Sequence, residues 1–224
     1  MTVQAIDAAC RRVDQGRMQM DGSRKHSPKH FATTACWLAL LLAPIAAFAM
    51  DAADRIGVPG PIRFGDTEFA LQWVSNPSPE LYKQEYVPAG QRVERYDSML
   101  LIDVRPLGAD LAQTARAMIE QIEARKATDP VANFEVLVNE AGDEVLLDFL
   151  MSAPDASGVI VEWNAYRYRR GPGGQGTTMV GISRRGYGDA ARAFLVDLKA
   201  RRAQDIATLS ALPGFEIRLP APAR

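Results

Sequence analysis

Four strand-length segments, 134–139, 144–152, 159–170 and 177–184, follow one another with only short links between them. The links are Glu140-Ala141-Gly142-Asp143, Pro154-Asp155-Ala156-Ser157-Gly158 and Gly171-Pro172-Gly173-Gly174-Gln175-Gly176. Parallel neighbours need a crossover of about a dozen residues or more. None of these links is that long, and each suits a hairpin. The stretch is therefore expected to fold as an antiparallel meander.

The rest of the chain supplies the partners. Residues 68–75 alternate, with Phe69, Leu71 and Trp73 on one side and Glu68 and Gln72 on the other, as in a half-covered strand with Trp73 in the core. Residues 82–87 are a second extended run. Residues 98–104 form a third, apolar almost throughout, which suits an interior strand covered on both faces. From Gly108 the period changes: Asp110 can cap a helix whose Leu111, Thr114, Ala115, Met118, Ile119 and Ile122 recur every three or four positions. A second helix spans 189–209, with Ala193, Phe194, Val196, Leu198 and Ile206 as its apolar face and Asp189 at its positive end. Residues 215–219 read as a last strand. The fold class is α+β, a mainly antiparallel sheet of about six to eight strands with two principal helices packed on it.

Upstream, residues 31–49 run without a charge behind Arg24, Lys25 and Lys29 and end in Ala47-Phe48-Ala49. Basic region, apolar region and small-x-small site in that order predict a Sec-type signal peptide cleaved after Ala49, hence a periplasmic or secreted protein. Pro44 and the Ala-Phe-Ala site favour cleavage over a membrane-spanning helix; an uncleaved leader would make the same module an inner-membrane anchored protein. Cys36 precedes the apolar region and so is not a lipidation site, and Met18 or Met20 is the more natural start. The expected organisation is a leader over 1–49, a tether over 50–61 and a single α+β domain over 62–224. Both cysteines, Cys10 and Cys36, and both histidines, His26 and His30, leave with the leader. The remainder has neither thiol nor imidazole, which removes the commonest nucleophiles, general bases and soft metal ligands. No metal site and no cofactor are expected. The leader holds six of the 26 Lys and Arg and three of the 27 Asp and Glu, leaving 20 against 24. That acidic balance does not indicate nucleic acid as a partner.

The most distinctive local feature is the hairpin around the glycine-rich link. Tyr166 and Tyr168 share one strand face, Arg167 and Arg169 the other, and Arg170, Arg184 and Arg185 gather near the loop and the following turn. Arginine beside aromatic rings binds phosphate or carboxylate. The competing reading is a long hairpin whose solvated charges discourage edge pairing while its tyrosines cover a sheet face. The glycine-rich link lacks the Lys-Ser/Thr and the helix of a phosphate loop and reads as a hairpin tip. Tyr82 and Tyr86, between Pro79 and Pro88, read as an exposed aromatic pair. Asp148, inside Leu146-Leu147-Asp148-Phe149-Leu150-Met151, must face water or pair with an arginine. Glu85, Asp103, Asp143, Glu144 and Glu162 are the remaining acid/base groups, but strand register decides which of them meet.

The order of elements over 64–219 resembles the Mog1/PsbP-like group of small α/β domains, some of them periplasmic. The segment Tyr82-Lys83-Gln84-Glu85-Tyr86-Val87-Pro88-Ala89-Gly90 is similar to ones in exported proteins of Gram-negative bacteria. The resemblance implies a binding or accessory role and brings no catalytic motif. The expected function is a non-enzymatic periplasmic domain that recognises a partner protein or an anionic envelope component, through Arg167, Tyr166, Tyr168, Arg169, Arg170, Arg184 and Arg185, with Tyr82 and Tyr86. The alternative is a carboxylate-dependent hydrolase of envelope polymers.

Overall fold

A computed structural model describes residues 52–108, 110–156 and 158–220. The residues read as a leader and its cleavage site, the alternative start methionines and all cysteines and histidines lie outside the described residues. Eight strands form one sheet: β1 (Ile62–Phe64), β2 (Thr67–Ser78), β3 (Leu81–Val87), β4 (Ser98–Arg105), β5 (Asn133–Val138), β6 (Glu144–Asp155), β7 (Gly158–Arg170) and β8 (Thr177–Tyr187). Their order is β1-β2-β3-β4-β8-β7-β6-β5, antiparallel throughout. Two helices accompany them, α1 (Leu111–Arg125) and α2 (Ala191–Ala211). The chain is thus α+β, and the expected meander over 134–184 is present as β5 to β8.

The sheet consists of two four-strand meanders. β1 to β4 form the first; α1 then carries the chain to the far edge, where β5 starts the second. β8 returns to the middle and joins β4, Arg105 opposite Thr177 at one end and Ser98 opposite Arg184 at the other. α1 starts where Asp110 closes a capping box. The Asp110 carboxylate accepts from the Gln113 N–H at 2.9 Å, and Gln113 Oε1 accepts from the Asp110 N–H at 3.2 Å.

Neighbouring strand residues point to opposite faces, so interior strands feed two apolar layers. Leu100, Ile102 and Val104 of β4 join Trp163, Ala165, Val180 and Ile182 under α2. Met99 and Leu101 join Leu147, Phe149, Tyr168 and Met179 on the face of α1. The apolar run in β4 is therefore an interior strand, as its composition requires.

Several details differ from the sequence reading. Residues 215–219 form no strand; Phe215, Ile217 and Leu219 instead pack on the α2-side layer, and the Arg218 N–H donates to the Ile56 carbonyl at 2.8 Å. Ile56 and Val58 are buried in that layer, so the segment read as a tether belongs to the domain. On α2 the buried positions are Ala191, Phe194, Leu195, Leu198, Asp205 and Leu209, while Val196 is exposed. The helix turns inward a face that includes a carboxylate, and periodicity of apolar residues alone cannot show that. Tyr86, read as exposed, is fully buried: it donates to the Val58 carbonyl and accepts from Gln84 Nε2, both at 2.6 Å. Tyr82 is half-buried beside the same layer.

Candidate functional site

α1 packs chiefly over β5, β6 and β7, because its apolar stripe meets their side chains there. The same face of β3, β4 and β8 runs out from under the helix, leaving a cleft of about 450 Å³. Its floor is Lys83 of β3, Leu101 and Asp103 of β4, Met179 of β8 and Tyr166 and Tyr168 of β7. Its wall is the outer side of α1, with Gln113, Thr114, Ala117, Met118 and Gln121. Thr114 and Thr177, whose hydroxyls lie 3.2 Å apart, tie that wall to β8.

Register determines what meets on the floor. Lys83 and Asp103 are directly opposite and form an ion pair; one step along, Glu85 faces Leu101. Burial pushes the Glu85 carboxyl above its ordinary value, with Lys83 opposing the shift. Burial does the same to Asp103, against the same lysine. Gly181 lies opposite Tyr166, and a Cβ there would come within 2.5 Å of the tyrosine Cδ1. The glycine is what lets the ring lie across β8. Tyr166 meets Phe149 edge-on at 5.0 Å between centroids and Tyr168 at 6.4 Å. Burial raises the pKa of both tyrosines, so they present neutral hydroxyls. The tip of the β7–β8 hairpin folds against the cleft: Gly176 has φ +60°, and a Cβ there would fall 1.8 Å from the Arg105 carbonyl oxygen.

Farther along the same face a polar network fills the sheet surface. The Tyr96 hydroxyl donates to Glu162 Oε2 at 2.8 Å, Arg185 pairs with the same carboxylate, and its guanidinium sits 4.1 Å above the Tyr96 ring. Asn164 donates to Glu162 Oε1 at 3.0 Å and accepts from the Ser183 hydroxyl. Burial, then Glu162, drives the Tyr96 phenol pKa up.

The arginines of the hairpin occupy separate places. Arg167 is 2% exposed and points away from the cleft; Nη1 donates to the carbonyls of Leu209 and Ser210 at 2.6 and 2.7 Å and Nη2 to that of Leu212 at 2.7 Å. It caps the C-terminal end of α2. Arg184 holds the buried Asp205 of α2 through two bonds of 2.7 Å. Arg169 pairs with Glu144 at 2.7 Å. Arg170 is exposed at the end of β7. Tyr166, Tyr168 and Arg185 share the α1 side of the sheet, whereas Arg167, Arg169 and Arg184 lie on the α2 side, so the structure does not gather these residues into one anion-binding surface. Asp148 has the arginine that its burial demands, Arg202 of α2, and accepts from Trp163 Nε1 at 2.6 Å.

Trp73, read as core, is 37% exposed. A bulge between Leu71 and Trp73 shifts the β2–β3 register: Leu71 faces Tyr86, but Trp73 faces Glu85. The extra residue moves Trp73 to the open face, in line with Glu85, Leu101, Gly181 and Tyr166. Trp73→Ala is accordingly expected to cost under about 1 kcal/mol in urea unfolding, not the roughly 3–5 kcal/mol of a core tryptophan. The cleft as a unit was not visible beforehand. Of its floor, Asp103, Tyr166 and Tyr168 are singled out by the sequence, but which part of the sheet face α1 leaves open depends on tertiary packing.

Among the described residues no group of three Asp or Glu side chains is arranged to hold a metal ion, and no helix is long and apolar enough to cross a membrane. A model of an uncharacterised protein family matches residues 56–213. No curated protein and no solved structure matches the chain.

Proposed function

The chain belongs to the uncharacterised family whose model spans residues 56–213, and from that premise we propose that it is a non-enzymatic binding domain, working outside the cytoplasm, whose ligand enters the cleft beside α1. One observation carries the reading: a cleft of about 450 Å³, within the roughly 300–1,000 Å³ of ligand pockets, runs between α1 and a floor of tyrosines and paired charges. Basic region, apolar region and Ala-Phe-Ala site support export. The layout resemblance to Mog1/PsbP-like domains supports an accessory role.

The lining also selects the class of ligand. Lys83 and Arg105 stand against Glu80 and Asp103, so the cleft is balanced in charge, with Leu101, Leu107, Met118 and Met179 between. Such a surface favours a segment of a partner protein, carrying backbone amides and apolar side chains, over an anionic polymer. Binding is favoured over hydrolysis because Asp103, the carboxylate drawn into the floor, is committed to Lys83.

The test is selection from a random peptide library displayed on phage. Peptides enriched on the wild-type protein should lose binding to Ala117→Trp, which fills the cleft from an exposed position of α1, by about tenfold or more. Failure to enrich, or enriched peptides indifferent to Ala117→Trp, would sink the reading.

A further inference from the structure

β5 is an outer edge of the sheet, paired only with β6 among the described strands. The Asn139 N–H donates to the Glu144 carbonyl at 3.2 Å. By the alternation of an antiparallel ladder, the backbone groups of Asn133, Glu135 and Leu137 then face β6, and those of Phe134, Val136 and Val138 turn outward. The strand's last three side chains, Val136, Leu137 and Val138, are 36%, 46% and 60% exposed. Its one carboxylate, Glu135, is drawn back to Arg202 at 2.8 Å. The opposite edge is different: β1 is three residues long, and its central Arg63 is exposed and paired with Glu68. Sheet edges are normally blunted by shortness, charge, proline or a bulge. β1 uses the first two, and the Val-Leu-Val end of β5 uses none.

The two ends of β5 differ in charge. At its start lies Lys126, the C-terminal cap of α1, whose Nζ sits 4.5 Å from the Phe134 ring centroid and 2.8 Å from the Glu123 carboxylate, so that end is close to neutral. At its finish the turn into β6 carries Glu140 and Asp143, both exposed. If two copies of β5 meet antiparallel, the lysine-bearing end of each faces the acidic end of the other; a parallel meeting would set the two acidic ends against each other. We propose that β5 pairs antiparallel with β5 of a second copy, making one sheet continuous across a two-fold dimer.

Sedimentation of the full chain over a range of concentrations tests this. The wild type should be dimeric, and Val136→Lys/Val138→Lys monomeric with an unchanged circular dichroism spectrum. Lys126→Glu and Glu140→Lys, both at exposed positions, should each raise the dimer dissociation constant by about three- to tenfold at low salt, and the two together should restore it. A monomeric wild type, a lysine variant that remains dimeric, or charge variants without mutual rescue would each overturn the proposal.

Discussion

Arg167→Ala should lower the free energy of unfolding by about 3–5 kcal/mol in urea titration. Hydrogen bonds to a charged donor contribute roughly 1.5–3 kcal/mol each, and this side chain supplies one to each of three carbonyls at the end of α2. Its loss leaves those oxygens in a largely buried place without their donor and removes a cation from the negative end of the helix dipole. Burial lowers the guanidinium pKa, but from so high a starting value that it remains the charged cap. Arg167→Lys should recover only part of the loss, because a single ammonium cannot span three carbonyls. Arg170→Ala, on the exposed end of the same strand, should stay within about 0.5 kcal/mol of wild type. Equal effects at the two positions would show that Arg167 is not the cap. Replacing Arg167, Arg169 and Arg170 together, harmless if all three were solvated, would be dominated by the first.

The second large effect is expected at Arg202. This residue of α2 reaches both Asp148 on β6 and Glu135 on β5, and Asp148 also holds the buried Trp163 indole. Arg202→Met would strand a carboxylate whose side chain is 4% exposed, and breaking a buried pair from one side costs about 3–5 kcal/mol. Burial already pushes the Asp148 carboxyl up, with Arg202 opposing, so without the arginine it should take up a proton. Adding Asp148→Asn removes the charge yet keeps an acceptor for Trp163. The double variant Asp148→Asn/Arg202→Met should therefore be more stable than Arg202→Met alone. Additive losses in the cycle would contradict the pairing.

Both effects fall on residues that sequence pattern handles poorly. Strands and helices were readable because each rests on local pattern: the short links that make β5 to β8 a meander, the apolar run of β4 and the Asp110 cap of α1 all appear where the pattern puts them. Charges that go inside were not. Arg167, Arg202 and Asp205 look like solvated positions, and only a helix end, Asp148 or Arg184 arriving from a distant part of the chain gives each a reason to be buried. Trp73 fails for a different reason. One inserted residue in β2 reverses the faces of Trp73, Val74 and Ser75, and no composition signal marks the insertion. Residues 215–219 have a strand's apolar pattern but lie beside residues 56–58 instead of a free sheet edge, so they pack without pairing.

The β4–β8 seam has a consequence for how the chain reaches this state. Every other strand pairing joins neighbours in sequence, apart from this single ladder between Ser98 to Arg105 and Thr177 to Arg184. Each half of the sheet is able to assemble from nearby segments, whereas zipping the halves together requires the whole intervening chain to be looped back first, at a cost in chain entropy. Long-range closure of that kind slows folding more than it weakens the finished structure. Until it happens, β4 and β8 are bare apolar margins, and the time spent waiting for their union is when this polypeptide is most exposed to sticking to its neighbours.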